Sequence, residues 1–188
     1  MKYGKFVHVV EFDDDELETV QSILSKEEKK LKDGIAVGKS EDRISKIAWC
    51  HNNKLRELLF NIALQANIDS QWYLNILTCE PAQYTLYDVE GAKYDWHCDQ
   101  SPPTVYPEGF FGCRKISMTL FLNDPEEYEG GEFDLEVFAP NHPERVQTFK
   151  LKKGQAIFFQ SDFWHRVRPV KSGVRKTLVA WFSGNPYV

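Results

Sequence analysis

The sequence predicts a mainly β domain with N-terminal helices (α+β), in which a jelly-roll-like double sheet is braced by two helices. Two observations carry this. Apolar residues recur at helical spacing before about residue 70, and after it the chain breaks into about eight short β-branched and aromatic runs separated by turns. Strands at that spacing suit a β-sandwich or a closed double sheet. No internal repeat, low-complexity tract or linker divides the chain. The expectation is one domain over 1–188, with 1–70 as a helical support region and 71–188 as the β core.

The first helix is expected within "DDDELETVQSILSKEEKKLKDG", where Leu17, Val20, Leu24 and Leu31 form an apolar stripe. Asp13 or Asp14 can cap its start, and Gly34 stands where a C-terminal cap is wanted. The second fits "NNKLRELLFNIALQAN", with Leu55, Leu58, Leu59, Ile62 and Ala66 on one face and Asn52 or Asn53 as cap. Strands are expected at 72–78, 83–88, 93–98, 115–122, 132–138, 146–151, 155–160 and 174–183. Turn signals such as Gly130-Gly131 and Lys153-Gly154 lie between them. The segment 100–113, "QSPPTVYPEGFFGC", reads as a long loop of the kind that acts in binding.

Bulk properties narrow the function classes. With 42% hydrophobic and 14% aromatic residues the chain is not disordered. A net charge of −5 argues against nucleic acid as the main partner, and Lys150, Lys152 and Lys153 read as a solvated face. No run of about 18 apolar residues exists, and "MKYGKFVHVVEFDDDE" lacks the apolar core of a signal peptide. The expectation is therefore a soluble cytoplasmic protein without a membrane partner. Four cysteines without a C-x-x-C pair read as free, mostly buried thiols.

Chemistry concentrates in "YDWHCDQ" (94–100), where strand alternation puts His97 and Asp99 on one face. Two histidines and one carboxylate on one face of an octahedral metal leave three positions open for substrate and gas. The third ligand would be a distant histidine. His8 precedes the first helix, His51 adjoins the second and His142 sits in a turn. His165, in "FFQSDFWHRVRPV", follows a strand and a short turn, a position that suits a ligand and equally a histidine packed in an aromatic cluster. Ten residues on, Arg175, Thr177, Val179 and Trp181 share one face of a strand. Either Arg175 lies in solvent, or it points inward and needs an anion such as a dicarboxylate, which its fork can grip in two hydrogen bonds.

H-x-D, a distal histidine and a basic residue ten beyond it resemble the iron(II)- and 2-oxoglutarate-dependent oxygenases, and within them the prolyl 4-hydroxylase-like branch of PKHD-type hydroxylases. The stretches that carry this are "YDVEGAKYDWHCD", "RKISMTLFLNDPEEYEGGEF", "LKKGQAIFFQSDFWHRVRPVKSGVRKTLVAWFSG" and, more weakly, "RISKIAW". The resemblance implies a double-stranded β-helix with His97, Asp99 and His165 as iron ligands. It makes Arg175 the partner of the 2-oxoglutarate 5-carboxylate and gives Tyr87 a hydroxyl that reaches the co-substrate, with Thr177 and Trp181 lining the same pocket. Phe121 departs from the pattern, because related hydroxylases often carry a tyrosine there. Thr177 or Thr119 could substitute; Tyr84 and Tyr94 could instead be the polar contacts or simply packed aromatics.

The implied cofactors are Fe(II), 2-oxoglutarate as co-substrate and O2, with ascorbate as a candidate reductant. The implied reaction decarboxylates 2-oxoglutarate to succinate and CO2 and hydroxylates an unactivated C–H bond, first of a prolyl residue in a peptide or protein. The alternatives are a free amino acid or other small metabolite as substrate, or a non-catalytic jelly-roll binding module. Pro102, Pro103, Tyr106, Pro107, Phe110 and Phe111 in the loop after Asp99 would hold an extended peptide or serve only as a lid.

Overall fold

The computed structural model describes residues 6–34, 42–100, 102–139 and 141–187. After β1 (Val7–Glu11), helix α1 (Asp14–Glu27) starts at Asp13, whose carboxylate accepts from the Glu16 amide while Glu16 reaches back to the Asp13 amide. This reciprocal cap satisfies two otherwise unpaired donors, and three acidic residues in the first turn complement the helix dipole. Helix α2 (Asn53–Asp69) starts at Asn52, whose side chain accepts from the Leu55 amide, and buries Leu55, Leu59, Ala63 and Ala66. No described helix is long and apolar enough to cross a membrane.

The first expected helix is shorter than its stripe. It gives way to a 3-10 turn at Glu28–Lys30 and then to β2 (Lys32–Asp33), so Gly34 caps nothing. Its amide donates to the Ser45 carbonyl instead, and a Cβ there would lie 2.8 Å from both Arg43 Nε and Ser45 Oγ. The glycine serves close strand approach.

The region read as helical support also carries β3 (Arg43–Ile44) and β4 (Lys46–Cys50), so among the described residues four strands lie before residue 70. The expected strand at 72–78 is a correction in the other direction. Only β5 (Thr78–Cys79) forms, because Gln71 and Tyr73 adopt φ of 62° and 51° and the Asn67 side chain bonds both the amide and the carbonyl of Leu74. Trp72, Leu74 and Ile76 pack against the helical side of the core as an irregular segment, which imitates a strand in composition.

The remaining elements are β6 (Ala82–Tyr87), β7 (Lys93–His97), β8 (Thr104–Val105), β9 (Phe111–Phe121), β10 (Tyr128–Gly130), β11 (Phe133–Glu136), β12 (Val146–Phe149), β13 (Gln155–Gln160), β14 (His165–Val167), β15 (Val170–Gly173) and β16 (Arg175–Gly184). A nine-stranded sheet runs β1-β13-β9-β16-β6-β4-β2, with β5 on β16 and β8 on β9. A five-stranded sheet runs β12-β11-β14-β7-β3, and β10 pairs with β15. Every pairing is antiparallel, and the two sheets form a double-stranded β-helix. The expected loop 100–113 is partly a hairpin, since β8 folds back on Phe111 and Gly112 while Tyr106 stacks on Phe110.

Alternation along β16 sets the two sides of the large sheet. Leu178, Ala180 and Phe182 pack outward with α1 and α2 over them, in one cluster with Val20, Leu24, Leu55, Leu59, Met118 and Phe158. Arg175, Thr177, Val179 and Trp181 face the space between the sheets. A second cluster closes part of that space with Phe121, Phe133, Leu135, Ile157, Phe159 and Val167. All four cysteines are free thiols, and burial pushes Cys79 up to about 12 and Cys50 to about 11.

Candidate active site between the two sheets

The space between the sheets holds a cavity of about 550 Å³. His97 is the last residue of β7 and His165 the first of β14, and the antiparallel register sets them directly opposite each other. Their ring centroids are 4.1 Å apart. Asp99 lies two residues beyond the strand end, held there by the Gln100 amide and the Cys98 thiol, which both donate to the Ser161 carbonyl. Its carboxylate reaches both histidines, at 3.7 Å from His97 Nε2 and 3.4 Å from His165 Nε2. One ligand atom from each of the three residues can be chosen so that all lie within 4.8 Å of one another.

Hydrogen bonding orients both imidazoles. His97 Nδ1 lies 2.8 Å from the Asp95 carbonyl and His165 Nδ1 lies 3.0 Å from the Phe163 carbonyl. A carbonyl only accepts, so each Nδ1 carries a proton, and each Nε2 is left facing Asp99, where it can serve as the metal-ligand atom. Tyr94 stacks on His97 at 3.6 Å, while Phe133 and Phe159 pack on His165. Burial and the neighbouring His165 hold His97 well below the ordinary histidine range. Burial alone would raise Asp99, but the neighbouring His165 and His97 together pull it below the usual carboxylate value. Two imidazole nitrogens and one carboxylate oxygen thus converge on one side of a cavity, the donor set that binds a divalent metal and leaves positions free.

Arg175 lies within the same cavity, opposite Tyr87 in the β16–β6 register. It is 1% exposed. Nη1 donates a long 3.5 Å bond to Thr177 Oγ1, while Nε and Nη2 have no hydrogen-bond partner. The guanidinium carbon sits 5.2 Å from the Tyr87 ring centre and 5.1 Å from that of Phe121. Burial pulls its pKa down, since Tyr87 and Tyr128 answer the charge only in part. A buried cation with two idle donors is costly unless an anion arrives. A carboxylate entering the cavity meets that need.

Of the other expected contacts, Thr177, Trp181, Thr119 and Tyr94 line the cavity. Tyr84 does not: it belongs to the cluster under the helices, with its hydroxyl 3.5 Å from Glu28, because alternation turns it away from Gln83 and Thr85. Tyr128, not singled out from sequence, has a buried hydroxyl without a hydrogen-bond partner. A Cβ on Gly131 would meet both its ring, at 3.3 Å, and Arg175 Cδ, at 2.9 Å. Arg114 also escaped notice. It lines the cavity over the Trp181 ring at 4.1 Å and pairs with Glu80 through Nε at 3.0 and 3.1 Å and Nη2 at 2.7 Å. Its position at the head of "RKIS" was visible, but nothing local pointed to Glu80 as its partner.

The family described as the 2OG-Fe(II) oxygenase superfamily matches residues 82–183. A PKHD-type hydroxylase of Crocosphaera subtropica is 33% identical over 127 residues, which cover 68% of this chain and 53% of the relative. The chain thus spans about half the length of that relative. Among solved structures, a prolyl-4-hydroxylase of Pseudomonas putida superposes with a TM-score of 0.69 at 17% identity, covering 97% of this chain and 94% of that one. A prolyl hydroxylase from Trichoplax adhaerens, in complex with a hypoxia inducible factor peptide, superposes at 0.64 with 17% identity over 94% and 83% of the two chains. The family match takes in Tyr87, both histidines, Asp99 and Arg175, and on it the chain belongs to the 2OG-Fe(II) oxygenase superfamily.

Proposed function

We propose that the protein is a 2-oxoglutarate-dependent dioxygenase that hydroxylates an unactivated C–H bond, with a prolyl residue of a peptide or protein as its substrate. The observation that carries this reading is the idle Arg175 fork in the cavity whose wall holds His97, Asp99 and His165. Those three residues would hold Fe(II), and Arg175 with Thr177 would hold the far carboxylate of 2-oxoglutarate. When bound, iron, O2 and 2-oxoglutarate supply the oxidising chemistry that yields succinate, CO2 and the hydroxylated product. The chain's own part is placement. The backbone-bonded imidazoles fix the direction of their Nε2 atoms, Arg175 neutralises and orients the co-substrate, and the aromatic walls exclude water.

The prolyl assignment draws on two structural neighbours that are prolyl hydroxylases, one of them peptide-bound, and on the segment after Asp99. Gln100 and Pro102 line the cavity, and the adjoining hairpin exposes Val105 and Phe111. Proline-containing peptides with Fe(II) and 2-oxoglutarate are expected to stimulate succinate release and gain about 16 Da on proline. A broad panel that gains no oxygen, beside a free amino acid that does, would move the enzyme to the small-molecule class.

Gly131 provides a separate check of the anchor. It sits at φ +65°, and an added Cβ would press on Arg175 Cδ at 2.9 Å and Val170 Cγ2 at 3.0 Å. Gly131→Ala is expected to cost about 1–2 kcal/mol from the left-handed backbone alone. By displacing Arg175 it should also weaken 2-oxoglutarate binding while leaving metal content unchanged. Thermal unfolding, metal analysis and co-substrate titration separate these effects, and undiminished 2-oxoglutarate affinity would count against Arg175 as anchor.

A further inference from the structure

The chain has seven arginines, and five of them meet a carboxylate. Arg56 pairs with Glu108, Arg114 with Glu80, Arg145 with Glu136, and Arg166 and Arg168 share Asp134. Among the described residues the other two, Arg175 and Arg43, form no salt bridge, and both line the cavity. Arg175 is accounted for by the co-substrate. Arg43 is not.

Arg43 is 8% exposed on β3, the edge strand beside β7. Its Nε donates to Ser45 Oγ at 2.8 Å, its Nη2 donates to Gln83 Oε1 at 2.6 Å, and its guanidinium carbon lies 4.5 Å from the centre of the Tyr94 ring. Every one of these partners is neutral. They fix the plane of the guanidinium without cancelling its charge, and no described side chain accepts from Nη1. The arrangement differs from that of Arg114, whose fork is filled by Glu80. Tyr94, on whose face Arg43 lies, stacks in turn on His97 at 3.6 Å. A charge held at Arg43 is thus one aromatic ring away from the His-Asp-His group.

Resting on the hydroxylase reading, we propose that Arg43 is a specificity residue that clamps a carboxylate of the substrate, so that the molecule oxidised is an acid. A carboxylate at the free edge of a desolvated guanidinium makes charge-assisted hydrogen bonds that a neutral amide cannot match. Two sources share this chemistry: the α-carboxylate of a free or C-terminal proline, and the side chain of an acidic residue beside an internal proline.

The test uses two matched pairs of probes: N-acetyl-L-proline with its amide, and the amidated dipeptides N-acetyl-Pro-Glu and N-acetyl-Pro-Gln. Binding to the manganese-loaded protein at saturating 2-oxoglutarate is read by calorimetry, so the clamp is measured without turnover and with Arg175 already engaged. In at least one pair the acid is expected to bind at least tenfold more tightly than its neutral partner, and the pair that shows the gap identifies the source. Arg43→Gln should close that gap with 2-oxoglutarate affinity intact, and Arg43→Lys should restore part of it. Equal binding within both pairs, a gap that survives Arg43→Gln, or an equal loss of 2-oxoglutarate affinity in that variant would each overturn the clamp. A parallel assay with Fe(II) and O2 keeps the two readings apart. A clear acid preference with no oxygen transferred to any probe would sink the hydroxylase reading and leave the clamp standing.

Discussion

His97→Ala and His165→Ala are each expected to lose most of their Fe(II) after dialysis at low micromolar metal, and with it all 2-oxoglutarate turnover. Each imidazole presents one Nε2, and its ring cannot turn to compensate because Nδ1 is tied to a carbonyl two residues back in its own chain. Loss of a partner behind a metal ligand typically costs about 10–100-fold in affinity or activity. Loss of the ligand itself should exceed that. His165 is packed by Phe133 and Phe159, so His165→Gln, which keeps more of the volume, guards against a variant that merely unfolds. Full iron occupancy in both alanine variants would show that the three residues are not the metal site.

Arg175 carries the second large effect, and its two halves run in opposite directions. Truncating one partner of a desolvated charge pair costs about 2–5 kcal/mol, so Arg175→Ala should raise the 2-oxoglutarate requirement at least tenfold and leave iron binding in place. Without co-substrate the same charge is a burden, since Nε and Nη2 are buried and idle. Replacing a buried ion by an apolar side chain of similar length is often neutral or stabilising. Arg175→Met is therefore expected to melt at or above the wild-type temperature when ligand-free, and to lose the further rise that 2-oxoglutarate gives the wild type. Unchanged 2-oxoglutarate dependence in Arg175→Ala would remove the anchor assignment.

Local signals were the ones the sequence carried well. Asp13 and Asn52 cap their helices, 155–160 is a strand from end to end, and alternation along 174–183 turned Arg175 toward the sites that Thr177 and Trp181 share. His97 and Asp99 were readable as a pair because two residues on one chain keep their relation in any extended fold. Their meeting with His165 depends on the β7–β14 register, which no local pattern encodes, and the resemblance supplied it. What stayed hidden was decided by distant atoms. Strands β3 and β4 are too short to show a period and exist because β7 and β6 pair with them. Residues 72–77 have strand composition, but the Asn67 side chain captures their backbone. Nothing local to Arg43 marks it as a cavity residue; Gln83, forty positions away, gives it that place.

The His-Asp-His group hangs on the five-stranded sheet and its margin, and Arg175 on the nine-stranded one. Between them lies the cavity, while beside it the walls meet through the Arg43–Gln83 bond and the packing of Phe133 on Phe159. A molecule that grips both walls therefore acts as a strut. It adds a load path to those the chain supplies through its own apolar cluster and the Arg43–Gln83 bond. At one hundred times its dissociation constant such an occupant adds about 2.7 kcal/mol to the folded state. That gain belongs to the whole sandwich and not to the strands touched, because neither sheet can then part from the other without first letting go of the co-substrate. On the hydroxylase reading, the reactant consumed in each cycle would thus also be a removable beam, and the scaffold would be at its loosest in the interval between one turnover and the next.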